Sequence, residues 1–209
     1  MKKIISILFA LAVVAMLVGC GGGSDSGPTK VEVWEEGTFP LVISNDGTDE
    51  EIELNVYEST SSDYRVIIDE PVVKGADPEP VYVQNITTGA IYFAEVGATS
   101  EAGVYKIITD VDDFALACPG IPDNFLGKTY SSTLAYGTDD PITITTKVAN
   151  ATERIVVDGV SYKAYPITYT FDYTPGEEGG TFSQTRYWVP SAGWYLAYED
   201  LDDSDAEIL

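Results

Sequence analysis

From about Val31 to Tyr198 the sequence repeats short segments rich in β-branched and aromatic residues, with turn residues between them. In this region no stretch of ten or more residues carries the apolar stripe of a helix, although residues 111–118 fit one or two helical turns. We therefore predict an all-β fold. Its single curved antiparallel sheet forms a half-barrel or a two-layer sandwich, with at most one or two short helices.

We divide the chain into four parts. We assign residues 1–19 to a cleaved leader, 20–29 to a tether, 30–200 to the β domain and 201–209 to an acidic tail. The predicted strands cover residues 39–44, 51–57, 64–69, 81–86, 90–96, 104–109, 129–136, 142–148, 154–157, 160–174, 181–189 and 194–199.

One hairpin is defined by its turn. Asp158-Gly159 lies between two strand-like segments and favours a type I′ turn, which requires positive φ at both central residues. This turn places Val157 opposite Val160, Ile155 opposite Tyr162, and Arg154 opposite Lys163.

The segment after this turn carries an apolar stripe with a period of two. Val160, Tyr162 and Ala164, earlier on the same strand, occupy even-numbered positions, whereas the stripe occupies odd-numbered ones. A bulge would bring both sets to one face of the sheet, so we predict a bulge near residues 164–166. The residues of the stripe are Tyr165, Ile167, Tyr169, Phe171 and Tyr173.

A second hairpin joins residues 181–189 to 194–199 through a four-residue loop. This loop length places Val189 opposite Trp194 and Tyr187 opposite Leu196. Trp188 and Trp194 join the stripe as candidate lining of an apolar groove, and the same pattern fits an ordinary core covered by the N-terminal strands. The pattern leaves both readings open.

The chain begins like a secretory leader. Lys2 and Lys3 precede an apolar run over residues 4–18, which as a helix would span about 22 Å, less than the ~30 Å hydrocarbon core of a bilayer. A single membrane-spanning anchor is the alternative. The run ends in a sequence that resembles the lipobox of bacterial lipoproteins: Leu17, Val18, Gly19 and Cys20.

This resemblance implies cleavage after Gly19 and attachment of a diacylglycerol to Cys20, usually followed by a third chain such as palmitate. Two or more fatty chains hold a protein stably on a membrane. The Gly- and Ser-rich residues 21–28 have the composition of a flexible tether. Gly21 after the cysteine resembles the outer-membrane sorting pattern of enteric bacteria, so we expect a location on the outer membrane, facing the periplasm or the cell surface.

Charge and composition exclude several functions. A chain that begins at Cys20 keeps nine cations against 34 acids, a charge of −25, which excludes electrostatic capture of nucleic acid. The sequence has no histidine, so a Ser-His-Asp triad or a His-ligated zinc site is excluded too. If Cys20 is acylated, Cys118 has no intramolecular partner, and we predict an unreactive, partly buried thiol, with an intermolecular disulfide as the alternative.

The acidic clusters supply weak candidates for a metal site. Asp110, Asp112 and Asp113 offer hard oxygen ligands, but they do not fit the spacing of a calcium-binding loop. We predict no metal and no cofactor. Weak binding of divalent ions to the acidic surface remains a hypothesis.

The second hairpin also carries a family resemblance. Residues 187–196, YWVPSAGWYL, are similar to a hairpin found in many bacterial lipoproteins, where it closes a half-barrel like that of the periplasmic lipoprotein carriers. Residues 127–130, GKTY, resemble the opening of strands in that group. Trp194 and Tyr195 depart from its pattern, which has small or aliphatic residues there. The resemblance implies a curved sheet whose concave side shelters an acyl chain or a lipopeptide.

From these features we predict a lipid-anchored envelope protein that is not an enzyme. It serves as a binding or scaffolding module for a lipid, a lipopeptide or an envelope protein. The alternative is a hydrolase of envelope glycans, a reaction that needs two suitably separated carboxylates.

Overall fold

The computed structural model describes residues 5–8, 28–45, 48–68, 79–134, 141–157, 159–173 and 180–200. Within these residues the chain is built from strands and three short 3₁₀ turns, which confirms the predicted all-β class. The turns are Val111–Asp113, Pro122–Phe125 and Pro190–Ala192. The strands are β1 (Ile5–Leu8), β2 (Gly37–Asn45), β3 (Thr48–Ser59), β4 (Tyr64–Ile68), β5 (Glu79–Asn85), β6 (Ile91–Ala98), β7 (Val104–Ile107), β8 (Ala115–Cys118), β9 (Thr129–Leu134), β10 (Ile142–Val148), β11 (Glu153–Val157), β12 (Val160–Tyr173), β13 (Thr181–Val189) and β14 (Trp194–Asp200).

The N-terminal strands close into a ring. Strands β4, β5, β6, β7 and β3 are neighbours in that order, and β3 also pairs with β4. The β3–β7 pair is parallel, and the other pairs of the ring are antiparallel. Side chains that alternate along these strands fill the interior of the ring, among them Val66, Val83, Ala94, Val96 and Tyr105.

The C-terminal strands form a curved antiparallel sheet in the order β14-β13-β12-β10-β9. The main core lies between this sheet and the outer face of the ring. Leu54, Ile67 and Phe93 of the ring meet Ile144 and Tyr169 of the sheet there. A smaller cluster, which includes Ala164 and Leu196, covers the opposite face of the sheet at one end.

Strand β12 changes its neighbour along its length. Residues 160–164 pair with β11 in the predicted register, whereas residues 167–173 pair with β10. The β12–β13 register runs without a shift from Tyr165 to Asp172. This pairing therefore does not contain the predicted bulge near residues 164–166. Ala164 and Tyr165 are both fully buried, since one contributes to the small cluster and the other to the main core. Because both faces of β12 are buried at this point, apolar residues can move from even to odd positions without a bulge.

The register of the second hairpin is partly as predicted. Val189 pairs with Trp194, but a bulge follows, so that Tyr187 pairs with Ala197 rather than with Leu196. The extra residue on β14 is Leu196, which is buried in the small cluster instead of opposing Tyr187.

Two strands were not predicted. Within residues 111–118 the expected helical character is confined to the turn Val111–Asp113, and Ala115–Cys118 forms β8, which pairs with β6. The sequence ALAC lacks β-branched residues and is too short to show a period. Near the N-terminus, β1 pairs with both β2 and β14 and joins the two halves of the sheet.

Candidate functional site

The apolar stripe lies mainly in the core. Its first three members and both tryptophans are at most 2% exposed, namely Tyr165, Ile167, Tyr169, Trp188 and Trp194. Phe171 is half-buried, and Tyr173, at the end of the strand, is 41% exposed. The ring of Phe93 on β6 packs edge-on against Tyr169, with 5.5 Å between centroids. The chain's own N-terminal strands therefore cover most of the stripe.

Tyr169 joins three elements through its hydroxyl group. The hydroxyl donates a hydrogen bond to the carbonyl oxygen of Ala117 on β8 at 2.5 Å and accepts one from the indole N–H of Trp188. Thr146 on β10 donates to the next carbonyl of β8, that of Leu116. Burial raises the pKa of Tyr169 well above its usual value, so this hydroxyl stays protonated as a donor. Side chains of the C-terminal sheet thus fix β8, the strand that the sequence did not reveal.

Arg186 lies on the core side of β13 among three tyrosine rings. Its guanidinium carbon is 4.7 Å from the ring centroid of Tyr195, 5.3 Å from that of Tyr169 and 5.6 Å from that of Tyr82. Its Nε donates to the side-chain oxygen of Gln184 at 2.5 Å, and its Nη1 is buried without a hydrogen-bond partner. Cation–π attraction of this kind compensates part of the cost of enclosing the charge. Because Tyr82 belongs to β5, the arginine also links the ring of strands β3–β7 to the C-terminal sheet.

A segment without regular pairing, residues 28–36, crosses between the two halves of the domain. Gln84 on β5 holds this segment. Its side-chain oxygen accepts a hydrogen bond from the backbone N–H of Trp34 at 2.9 Å, and its side-chain amide donates one to the Glu32 carbonyl at 2.8 Å. The indole N–H of Trp34 donates to the Gly193 carbonyl at 2.9 Å, and the Glu32 N–H donates to Pro190 at 2.8 Å. We call residues 28–36 the strap. Sequence patterns did not identify it, because its partners lie 50 to 159 residues away.

The strap begins beside a charged cluster. The Thr29 N–H donates to Asp123 at 2.8 Å, the Tyr165 hydroxyl donates to the same carboxylate at 2.6 Å, and the Lys163 ammonium is 3.2 Å away. Partial burial opposes ionisation of Asp123, but the hydrogen bonds from Tyr165, Thr29 and Lys163 outweigh it and lower the pKa to about 2. This carboxylate therefore anchors the start of the strap.

The acidic candidates do not come together as a metal site. Asp110, Asp112 and Asp113 are all exposed around the turn Val111–Asp113. Within the described ranges, no group of three or more Asp, Glu, Cys or His residues is placed to hold a metal ion.

An open cleft of about 480 Å³ lies where β2, β3 and the β6–β7 turn meet. Three carboxylates line it: Glu36, Glu58 and Glu101. Glu36 forms an ion pair with Arg65 at 3.1 Å.

Cys118 is fully buried at the end of β8, and burial raises the pKa of its thiol well above the usual value. It was predicted to be partly buried, so the structure encloses it more completely than expected. A thiol that is inaccessible and protonated is a poor nucleophile. Cys20 and the rest of the lipobox, Leu17, Val18 and Gly19, lie outside the described residues.

No family model, curated protein or solved structure matches this chain. Across the described part of the chain, no helix has the length and apolar character needed to span a membrane.

Proposed function

We propose that this chain is a lipid-anchored protein of the bacterial cell envelope, on the outer membrane, whose β domain is a non-enzymatic binding or scaffolding module. The observation that carries the proposal is the order of features at the N-terminus: two lysines, an apolar run, the lipobox at residues 17–20 and a Gly/Ser-rich tether. The strap begins within the last two residues of this tether, and Asp123 accepts a hydrogen bond from the backbone of Thr29 there.

The strap supports a tethered module because it passes mechanical load from the tether to both halves of the domain. Its contacts reach Asp123 and Gly193 on the C-terminal side and Gln84 on the ring. A pull on the acylated N-terminus would therefore act on a segment with several buried hydrogen bonds rather than on a strand edge.

Of the two kinds of binding, the packing favours an envelope partner over an acyl chain. The stripe that was a candidate groove lining is covered by Phe93 of β6, which packs edge-on against Tyr169 and Phe171 within the main core. A lipid chain in that space would have to displace side chains from a well-packed core, which is costly. Docking on the outer surface requires no such rearrangement.

The experiment is metabolic labelling of the full-length chain with an alkyne analogue of palmitate in a Gram-negative host, with Cys20→Ser as the matched control. We expect palmitate label in the wild-type protein, which should enter the detergent phase in a phase-partition assay, and no label in the variant. An unlabelled wild-type protein that enters the aqueous phase would overturn the proposal.

The second candidate function, a hydrolase of envelope glycans, rests on the acid-lined cleft. Two carboxylates across an open cleft are the minimum for glycoside hydrolysis, and Glu36, Glu58 and Glu101 line this one. Release of reducing ends from envelope glycans by the wild-type protein, abolished in Glu58→Gln and Glu101→Gln, would favour it. Equal background rates in all three proteins would eliminate it.

A further inference from the structure

The outer face of the C-terminal sheet carries a regular array of hydroxyl groups. Strands β9, β10, β12 and β13 are neighbours, and their registers align three residues of each strand into three rows across the sheet. We call these twelve positions the hydroxyl grid. The rows are Thr133, Thr143, Asp172 and Thr181; Ser131, Thr145, Thr170 and Ser183; and Thr129, Lys147, Thr168 and Thr185.

The hydroxyl groups of the grid pair with one another across the strands. Ser131 and Thr145 are 3.2 Å apart, as are Thr133 and Thr143. Closer to β13, the Thr168–Thr185 and Thr170–Ser183 pairs are 2.9 and 3.0 Å apart. A hydroxyl group has one donor and two acceptor sites, so each solvent-exposed pair retains one O–H donor and several lone pairs for an external partner. Thr185 is only 8% exposed, so the Thr168–Thr185 pair offers little surface to such a partner. The pairing also fixes the side-chain rotamers, which lowers the entropy lost on binding.

The grid carries no net charge. The whole chain has 34 acidic and 11 basic residues, but the twelve grid positions hold one of each, Asp172 and Lys147. Threonine is common on exposed strands because of its β propensity.

We propose that the hydroxyl grid binds a neutral polysaccharide that lies along the sheet. Such a polymer offers many hydroxyl donors and acceptors at short intervals and has no charge for the acidic protein to repel. Grid residues repeat about every 6.6 to 6.8 Å along a strand, and strands are about 4.8 Å apart, so an extended polymer on this face would meet hydroxyl groups at short intervals in both directions. The inference rests on the proposed function in one respect: it names the partner class of the same envelope module.

Affinity electrophoresis tests the proposal with the full-length protein in a neutral detergent. Native gels would contain hydroxyethyl cellulose, dextran or mannan at increasing concentration, with alginate as an anionic comparison. The acidic protein migrates rapidly, so binding to an immobile neutral polymer is read directly as retardation. We expect at least one neutral polymer to retard the wild-type protein and alginate not to retard it.

Two variants locate the binding. T145V/T170V removes two hydroxyl groups from the central row but preserves β-branched side chains, and should raise the dissociation constant at least tenfold. T145S/T170S preserves the hydroxyl groups and should bind within threefold of wild type, which separates lost chemistry from lost folding. T60V/T87V alters two exposed threonines outside the grid and should bind as wild type does.

Three results would overturn the inference: no retardation by any neutral polymer, equal retardation of wild type and T145V/T170V, or stronger retardation by alginate. Self-association that T145V/T170V abolishes would overturn it too, in favour of docking between copies. These results are separable from failure of the proposed function, because acylation of Cys20 is measured independently of glycan binding.

Discussion

The indole N–H of Trp34 donates a hydrogen bond to the carbonyl of Gly193 at 2.9 Å, which joins the strap to the turn between β13 and β14. Gly193 has φ +67°, and a Cβ atom added there would lie 2.7 Å from Trp34 Nε1 and 3.1 Å from the Glu32 carbonyl oxygen. The glycine therefore meets two requirements at once, a left-handed backbone and close approach of the strap.

Gly193→Ala is expected to lower the free energy of unfolding by about 3 kcal/mol, since left-handed strain costs roughly 1–2 kcal/mol and the contacts with the strap add to it. Gly159→Ala is the matched control: Gly159 has φ +76° with nothing within 4 Å of the added Cβ. Urea denaturation of both variants measures the difference. Equal losses would show that the strap moves aside at no cost.

Asp123→Asn tests the anchor of the strap by pH. The folded-state pKa of about 2 is below the ordinary 3.8, so the stabilisation is present above pH 3.8 and is lost as the pH falls towards 2. We expect wild type to exceed the variant by about 1 kcal/mol at neutral pH, because the 30% exposure of the carboxylate screens part of the effect. The gap should close near pH 2.

Unfolding curves from pH 7 to pH 2 provide this measurement, and the exposed Asp112→Asn serves as the control. A stability difference between wild type and Asp123→Asn that stays constant over this range would contradict an ionised, hydrogen-bonded Asp123.

Tyr169→Phe removes the hydroxyl group that links β8 to β13. The Ala117 carbonyl and the Trp188 indole N–H would both lose their partner in the core, at a cost of about 2–3 kcal/mol in the free energy of unfolding. Tyr162 is a half-buried residue that packs against the small cluster, and Tyr162→Phe should change the free energy of unfolding by less than about 0.5 kcal/mol. Chemical denaturation compares the two, and equal effects would refute the bridging role.

Cys118 should resist alkylation in the folded protein because its thiol is enclosed and its pKa is raised by burial. In a Cys20→Ser background, iodoacetamide labelling followed by mass spectrometry should show modification of Cys118 in urea and almost none in buffer. Rapid labelling under native conditions, or a disulfide-linked dimer, would show that the thiol is accessible.

Deletion of residues 1–19 should alter amide exchange at two strands. In the full chain β1 pairs with residues 42–44 of β2 and with Ala197 and Tyr198 of β14. A protein that begins at Cys20 lacks β1, so amides along these edges should exchange faster than in the full chain. Amides of Ile144 and Tyr169, inside the sheet, provide the internal control. Unchanged exchange at β14 would show that another segment takes the place of β1.

Local sequence patterns were sufficient where neighbouring residues decide the structure. The turn at Gly159 fixed the pairs Val157–Val160 and Ile155–Tyr162, and most strands were predicted because β-branched and aromatic residues separated by turns have few alternatives. Strand β8 was missed because ALAC has no such signal, and its place depends on hydrogen bonds from Thr146 and Tyr169.

The amino-acid sequence alone determined the all-β class and the two faces of β12, because alternation along a strand is a local property. It did not determine what covers those faces. The register of Tyr187, the burial of the stripe beneath Phe93 and the attachment of the strap to Gln84 and Gly193 depend on segments far apart in the chain. Tertiary structure decided them, since packing and hydrogen bonding between distant segments leave no local periodic pattern in the sequence.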